Sequence, residues 1–311
     1  MSEPALPQKT REYNDHPVID GTRWRVYGPR EGDIIITTSY KAGTTWMQTI
    51  VANLLHQDGN IPAAVSELSP WLDMALPPLD MVAEGLEAQT GRRFIKTHLP
   101  LDGMDYYPNA KYVFVGRDPR DVFMSMWNHH NKYSDGMRGA LQSRAEEFGR
   151  EFELDFKDIK AMWKRWSSES YFDWESDGYP YWSHLHHAQT WWDYRHVPNI
   201  AFVHFADLLS DPEKEVRRLA AYLDIAIDEA QLPGLLERIS FGEMKSNFKN
   251  IMSEAGDIWR GGGDAFMNKG TNGRWRDILD ADDLKLYETA VARALSPDCA
   301  HWLEHGGAVS S

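Results

Sequence analysis

The chain has 311 residues, of which 42% are hydrophobic and 26% charged, a composition typical of globular proteins. Its net charge of −14 argues against nonspecific binding to nucleic acid or to an anionic membrane, so an anionic ligand requires a local basic pocket. The single cysteine, Cys299, excludes an intrachain disulfide and a cysteine-rich metal site.

The first twenty residues are polar and carry charges throughout, and they lack the apolar core of a signal peptide. No stretch of the sequence is long and apolar enough to span a bilayer. These features predict a soluble, cytoplasmic protein that has neither nucleic acid nor membrane as a partner.

The first strong pattern is a strand, a tight loop and a helix. Residues 33–38 form an apolar run that predicts a buried strand, and the spacing of apolar residues predicts a helix over 45–57. The loop between them leaves backbone N–H groups unpaired at the helix start, which is a typical phosphate site. Gly43 allows an anion to approach closely, Lys41 adds a charge, and the threonines after Gly43 add hydroxyl donors.

This loop differs from the common nucleotide-binding signature. In the ATP-binding P-loop the lysine follows the second glycine of G-x-x-x-x-G-K-[ST], whereas Lys41 precedes the single Gly43. Taken alone, the pattern fits an ordinary strand-to-helix turn with a surface lysine equally well.

A second strand is predicted over 92–98, with its polar end at Lys96 and His98. These two residues are two positions apart, so their side chains point to the same side of the strand. In parallel α/β sheets, ligands bind beyond the carboxyl ends of the strands, where both residues lie. The alternative interpretation of His98 is a capping or solvent-facing histidine.

The run 111–116 predicts a third strand, followed directly by Arg117 and by a helix whose first turn contains Pro119. Ser125 lies on this helix. An arginine at a strand end with a serine on the next helix is consistent with a second anion site. Surface arginines after strands are common, so this pattern is weak on its own.

Residues 128–195 are rich in tryptophan and tyrosine and are interpreted as a helical insertion rather than a separate domain. Most of these aromatic residues are expected in the core, and a minority is expected to line a pocket for an apolar or aromatic acceptor. A fourth strand over 200–205 follows. Helices are then predicted over 212–223 and 228–239, and a final helix over 282–295 is expected to close the chain.

The alternation of strands and helices predicts an α/β fold: a single P-loop-like domain over residues 1–311, with a central parallel sheet flanked by helices. Residues 250–275 contain many glycines and few expected secondary-structure elements. They are predicted to form a mobile flap over the ligand, with a disordered surface loop as the alternative.

Four motifs, in this order, resemble those of the cytosolic-type sulfotransferases, which use 3′-phosphoadenosine 5′-phosphosulfate (PAPS). The family's T-Y-P-K-S-G-T-T-W is similar to T-S-Y-K-A-G-T-T-W at residues 38–46, and its K-T-H-L-P is unchanged at 96–100. Its R-[ND]-x-[RK]-D-V-x-x-S block is R-D-P-R-D-V-F-M-S at 117–125, and its late R-K-G-x-x-G-x-W block is N-K-G-T-N-G-R-W at 268–275. The resemblance covers most of the chain, from about residue 33 to 275.

Three positions depart from the family pattern. Asn268 stands where the family usually has arginine, which removes one charge from the expected 3′-phosphate site. Phe205 stands where many members have tyrosine. Residues 276–281 do not match the family's dimer motif, K-x-x-x-T-V-x-x-x-E, so the oligomeric state is left open.

The resemblance implies in-line sulfuryl transfer from PAPS to a hydroxyl group, with 3′-phosphoadenosine 5′-phosphate (PAP) as the product. His98 would take the proton of the acceptor hydroxyl, Lys41 would stabilise the leaving oxygen, and Lys96 would hold the sulfuryl oxygens. No metal is expected to be required, because lysines and backbone donors supply the positive charge.

The resemblance also implies which residues bind the nucleotide. The 5′-phosphate would be held by the loop residues Lys41, Ala42, Gly43, Thr44 and Thr45. The 3′-phosphate would be held by Arg117, Ser125, Lys269 and Gly270. Adenine would lie between Trp46 and Phe241.

Two other functions are open. A P-loop kinase using ATP would require the lysine of the ATP-binding loop and a carboxylate for Mg²⁺, and a second phosphate site would serve no purpose with ATP. A non-catalytic nucleotide-binding protein would be free to lose Lys41 or His98, and both are present. The acidic chain and its aromatic insertion favour a small, partly apolar alcohol or phenol as acceptor over a sulfated polysaccharide.

Overall fold

The computed structural model describes residues 6–309. Within them, four parallel strands form one sheet in the order β2-β1-β3-β4. The strands are β1 (Ile34–Thr38), β2 (Phe94–Thr97), β3 (Lys111–Gly116) and β4 (Ile200–His204). The predicted α/β fold with a central parallel sheet is confirmed, and each strand lies where its apolar run predicted it.

The helices of the described residues surround this sheet. In chain order they are α1 (Thr44–Leu55), α2 (Val65–Leu68), α3 (Leu79–Glu87), α4 (Pro119–His130), α5 (Asp135–Glu147), α6 (Ile159–Ser168), α7 (His184–Trp192), α8 (Phe205–Ser210), α9 (Pro212–Tyr222), α10 (Leu232–Arg238), α11 (Phe241–Ser246), α12 (Phe248–Ile251), α13 (Ala255–Ile258), α14 (Gly262–Phe266), α15 (Ala281–Ala294) and α16 (Pro297–His305). Three short 3₁₀ helices lie at Gly21–Val26, Leu101–Gly103 and Arg274–Asp277. None of the helices in residues 6–309 has both the length and the apolar character needed to cross a membrane.

Strand β1 is the centre of the sheet. Every residue of its Ile-Ile-Ile-Thr-Thr sequence is buried, which suits β-branched side chains in a parallel sheet covered on both faces. The chain goes from β1 to β2 on one side and then crosses to β3 on the other side. This reversal makes the crevice between the ends of β1 and β3 the expected ligand site.

The end of the chain differs from the prediction. Helix α15 does not close the chain, because α16 follows it, and Trp302 of α16 packs against residues of β3 and β4. Trp302 of α16 lies so close to Gly116 that a β-carbon there would be 2.3 Å from the indole ring. The chain therefore needs glycine at the end of β3 to seat its last described helix. Helix α10 is also shorter at its start than the predicted 228–239.

The insertion over 128–195 contains α5, α6 and α7 joined by irregular segments. As expected, most of its aromatic residues pack in the core, and Trp163, Trp166, Trp182 and Trp191 are almost completely buried. Their burial is continuous with the core around the sheet. The insertion is also bonded to the loop after β1, because Trp166 donates to the Tyr40 hydroxyl, which in turn donates to the carbonyl of Gly178.

Residues 250–275 are more regular than predicted. They contain α13, α14 and part of the last 3₁₀ helix, and they bury Trp259, Ala265 and Met267. The expectation of few secondary-structure elements here is therefore wrong, because short helices separated by glycines give no long periodic pattern. Movement of this segment on ligand binding stays a prediction.

Candidate active site

A cavity of about 460 Å³ lies beyond the carboxyl ends of β1, β2 and β3. It brings together the side chains or backbone of nearly all the residues predicted to form the site. These are Lys41, Gly43, Thr44, Thr45, Trp46, Lys96, His98, Arg117, Ser125, Phe241, Lys269 and Gly270. The exception is Ala42, which is fully buried and does not line the cavity. Its methyl group packs in the core, so only its backbone remains a candidate for the predicted contact.

The loop after β1 has an unusual backbone. Lys41 has a φ of 59° and Gly43 a φ of 120°, and a β-carbon at Gly43 would lie 2.9 Å from the Phe205 ring. Helix α1 starts directly after Gly43, and no side chain caps its first turn. The free N–H groups of this turn and the positive end of the helix dipole therefore remain available to an anion at the cavity wall.

Lys41 lies between the imidazole of His129 and the ring of Phe266. Its Nζ lies 3.1 Å from Nδ1 of His129 and 3.9 Å from the centre of the Phe266 ring. Burial, together with the charges of Lys96 and Arg117, lowers the pKa of Lys41 to about 7. A bound anion would raise the pKa of a lysine in this environment, because a negative charge stabilises its protonated form.

Lys96 lies at the end of β2 and points over the Trp71 ring, with Nζ 4.4 Å from the ring centre. Burial lowers the pKa of Lys96 to about 8, and the Asp73 carboxylate opposes this effect. That carboxylate is fixed by Nε1–H of Trp24 and of Trp71 and by the backbone N–H of His98. One buried carboxylate therefore holds both the backbone of His98 and the Trp71 ring over which Lys96 lies.

His98 is the buried histidine of the cavity wall, and its hydrogen bond defines its tautomer. Nδ1 lies 2.7 Å from the carbonyl oxygen of Thr38, which can only accept, so Nδ1 carries the proton. Burial first, and then the charge of Lys96, holds the pKa of His98 well below its usual value. The ring is therefore neutral near pH 7, with the lone pair on Nε2. This arrangement suits a general base.

Arg117 connects the end of β3 with residues 250–275, the late segment of the chain. Its guanidinium donates to the carbonyl of Lys41 at 3.3 Å, to the carbonyl of Thr271 at 3.2 Å and to the side-chain oxygen of Asn272 at 3.3 Å. It also lies 4.0 Å from the centre of the Phe205 ring. No carboxylate among the described residues forms an ion pair with it, so its charge is available to an anionic ligand.

Trp46 and Phe241 line the same cavity. The Trp46 indole is fixed by a hydrogen bond to the carbonyl of Ile239 and by edge contact with Phe205. Gly270 has a φ of 65°, and a β-carbon there would lie 2.4 Å from the Phe241 ring. The late segment thus approaches Phe241 so closely that only glycine fits at residue 270.

Most of the remaining wall of the cavity is apolar and aromatic. The insertion contributes Tyr133, Met137, Leu141, Tyr181 and Trp182, and the late segment contributes Met252, Ile258, Trp259, Phe266 and Met267. A minority of the aromatic residues of the insertion therefore lines the cavity, as predicted. The cavity has a charged end at the strand tips and an apolar end beneath the late segment.

Comparison with known proteins identifies the family. The protein-family model described as the sulfotransferase domain matches residues 31–296 of this chain. A glycolipid sulfotransferase of Mycobacterium bovis (strain BCG / Pasteur 1173P2) is 33% identical over 307 residues, covering 93% of each chain. The chain belongs to the sulfotransferase domain family.

A further sulfotransferase and one solved structure are also similar to this chain. Sulfotransferase 1A1 of Rattus norvegicus is 25% identical over 278 residues, covering 86% of this chain and 85% of that protein. The crystal structure of retinol dehydratase with retinol and PAP has a TM-score of 0.68 at 24% identity, covering 90% of this chain and 87% of that one. Family membership makes the chain an enzyme, a PAPS-dependent sulfotransferase, and so favours this prediction over a kinase or a non-catalytic protein.

Two residues of this sulfotransferase escaped the sequence patterns. His129 lies one helical turn after Ser125 on α4, so both face the cavity, and this spacing is the signal that would have found it. Arg274 also lines the cavity, although it follows the predicted motif residues Lys269 and Gly270. No local pattern marks Arg274, because its position depends on how the late segment folds back over α4.

Proposed function

We propose that this sulfotransferase transfers the sulfuryl group of PAPS to a hydroxyl of a partly apolar alcohol or phenol and releases PAP. The observation that carries the proposal is a single cavity with a neutral histidine at its wall and two groups of cations that form no ion pair with a carboxylate among the described residues. Lys41 and Lys96 lie at the tips of β1 and β2, and Arg117 lies at the tip of β3. A nucleotide with phosphate groups on both its 5′ and 3′ positions matches two such groups.

The residues present fit this nucleotide. The open first turn of α1 would hold the 5′-phosphate through its N–H groups and the hydroxyls of Thr44 and Thr45. Arg117, Ser125, Lys269 and Gly270 would hold the 3′-phosphate, and Trp46 and Phe241 would hold adenine between them. The depressed pKa of Lys41 also fits a site that is completed by a bound anion.

In the reaction, each polar group of the cavity would act on a different atom. Nε2 of His98 would take the proton of the acceptor hydroxyl as its oxygen attacks sulfur. Lys96 would hold the sulfuryl oxygens, and Lys41 would turn from His129 toward the oxygen that leaves with the phosphate. The chemistry depends on positioning and charge, so preorganised cations are its main requirement. We expect no metal to be required, because these groups supply the positive charge.

The apolar end of the cavity would hold the body of the acceptor. The M. bovis relative is named as a glycolipid sulfotransferase, which makes alcohols with a lipid chain the first acceptors to test. His129 supports an oxygen-rich acceptor, because Lys41 donates to its Nδ1 and the neutral ring then carries its proton on Nε2. Nε2 of His98 would thus accept a hydrogen bond from one acceptor oxygen, and Nε2–H of His129 would donate to a neighbouring one.

Binding and transfer test the proposal separately. Calorimetry should show that PAP binds more tightly than adenosine 5′-phosphate (AMP) or ATP, without added metal. Incubation with PAPS and a panel of glycolipids, sterols and phenols should then give a product heavier by one sulfuryl group. Tighter binding of ATP than of PAP, with phosphate transfer, would instead support a kinase.

The late segment provides a second prediction. Residues 251–273 line the cavity through Met252, Trp259 and Lys269, so a bound nucleotide would contact them directly. Amide hydrogen exchange across this range should slow when PAP is added, while exchange in β1 should not change. Equal exchange with and without PAP would show that the segment is fixed structure rather than a nucleotide-dependent flap.

A further inference from the structure

Arg274 lines the cavity but has no role in the proposed function. It begins the 3₁₀ helix Arg274–Asp277 and is half-buried. Its backbone N–H donates to Oδ1 of Asp121 at 3.2 Å, and that of Gly273 donates to Oδ2 at 2.8 Å. One carboxylate on α4 therefore fixes the backbone from which the Arg274 side chain extends to the cavity wall.

The Arg274 guanidinium contacts an amide rather than a carboxylate. With the Asn268 amide oriented so that its oxygen faces the guanidinium, that oxygen accepts from the two terminal nitrogens of Arg274 at 3.3 and 3.2 Å. It also accepts from Nδ2 of Asn128 at 3.1 Å. The reverse orientation would place the amide nitrogen against these donors. A neutral amide orients the guanidinium without neutralising it, and among the described residues no carboxylate is ion-paired with Arg274.

Arg274 and Arg117 are close enough to repel each other. Burial lowers the pKa of Arg117 to about 10, and the charge of Arg274 contributes in the same direction. The Asp121 carboxylate acts against this repulsion, but both of its oxygens already accept from backbone amides. Two guanidinium groups at one cavity wall, with a lysine at residue 269 beside them, form a site suited to a doubly charged anion.

We propose that Arg274 binds the 3′-phosphate of the nucleotide together with Arg117, and that Asn268 orients it for this contact. The inference rests on the proposed function, since it assigns one phosphate of PAPS. The arginine missing from residue 268 is thus replaced by an arginine six residues later, whose guanidinium lies against the residue 268 side chain. The charge of the phosphate site is retained, although the motif has lost it.

Comparing PAP with AMP isolates the 3′-phosphate, because the two nucleotides differ only by that group. Arg274→Gln should weaken binding of PAP by about 10- to 100-fold, the loss expected for a charge-assisted hydrogen bond, and should change AMP binding less than about twofold. Arg276→Gln is the matched control, because Arg276 is an exposed neighbour that does not line the cavity. It should leave both affinities unchanged.

The reciprocal change tests the replacement itself. In the double variant Arg274→Gln, Asn268→Arg, the ratio of PAP affinity to AMP affinity should recover. The recovery should be at least half of the loss in Arg274→Gln, measured on a logarithmic scale. Loss of affinity for PAP and AMP alike in Arg274→Gln, or no loss for either, would overturn the role of Arg274 while the wild-type preference for PAP stands. A wild-type enzyme without any preference for PAP over AMP would overturn the donor assignment, and this inference with it.

Discussion

His98→Ala is expected to lower turnover by roughly 10²–10⁴-fold, while PAP binds almost as it does to the wild type. We expect this loss because the free lone pair on Nε2 is the proposed acceptor of the proton. The ring nitrogen opposite is occupied by the Thr38 carbonyl at 2.7 Å. Single-turnover rates with saturating PAPS would measure the chemical step, and calorimetry with PAP would confirm that the variant is folded.

His129→Gln is the matched control for this variant. Both histidines are neutral and line the same cavity, but the Nδ1 atom of His129 accepts from Lys41 and its Nε2 carries the proton. It cannot act as a base from that nitrogen, so its substitution should reduce turnover far less. A larger loss in His129→Gln than in His98→Ala would reverse the assignment of the base.

Lys41→Met is expected to lower kcat by roughly 10²–10³-fold, the usual cost of removing a group that stabilises developing charge. Lys269→Met provides the comparison, because Lys269 is exposed and is assigned to binding rather than to the leaving oxygen. It should raise the Kd for PAP and change kcat little. If Lys41→Met changed kcat as little as Lys269→Met does, Lys41 would act only in binding.

The pH profile tests the same role of Lys41. Its pKa is lowered to about 7, so the free enzyme loses the required cation as the pH rises through this value. The kcat/KM for PAPS should therefore fall above about pH 7. Bound phosphate raises the pKa of Lys41, so the corresponding fall in kcat should occur at higher pH. The pKa of His98 lies well below its usual value, so no loss from this base is expected between pH 6.5 and 7.

The parts of the site that the sequence predicted share one property: they are local. A strand that ends in Lys-Thr-His and a strand that ends in Arg each place their side chains at a known edge of a parallel sheet. The order of the strands then brings them together, and Arg117 donates to the carbonyl of Lys41 as a result. Strand positions and motif positions were therefore predictable from the sequence alone.

The remaining features depend on contacts between distant segments. The Asp73 carboxylate that holds His98 and Trp71 comes from a loop with no motif. The burial of Ala42 depends on packing around the loop, which cannot be predicted from the motif. Helix α16 did carry a signal, because Cys299, Trp302 and Leu303 have the spacing of a helix face and Pro297 stands in its first turn. The late segment carried none, since its helices are too short for a periodic pattern.

The hydroxyl of Tyr40 has a consequence for engineering and for divergence within the family. It belongs to the loop that is proposed to bind the donor, yet its partners, Trp166 and Gly178, belong to the insertion that forms the apolar wall. These hydrogen bonds join the proposed donor loop to the apolar wall proposed for the acceptor. Grafting the insertion of another enzyme onto this chain to change its acceptor would also disturb the donor loop, unless the graft preserves both partners. We therefore expect acceptor specificity to be altered more readily through single side chains that face the cavity, such as Met137 and Leu141, than by exchange of whole segments.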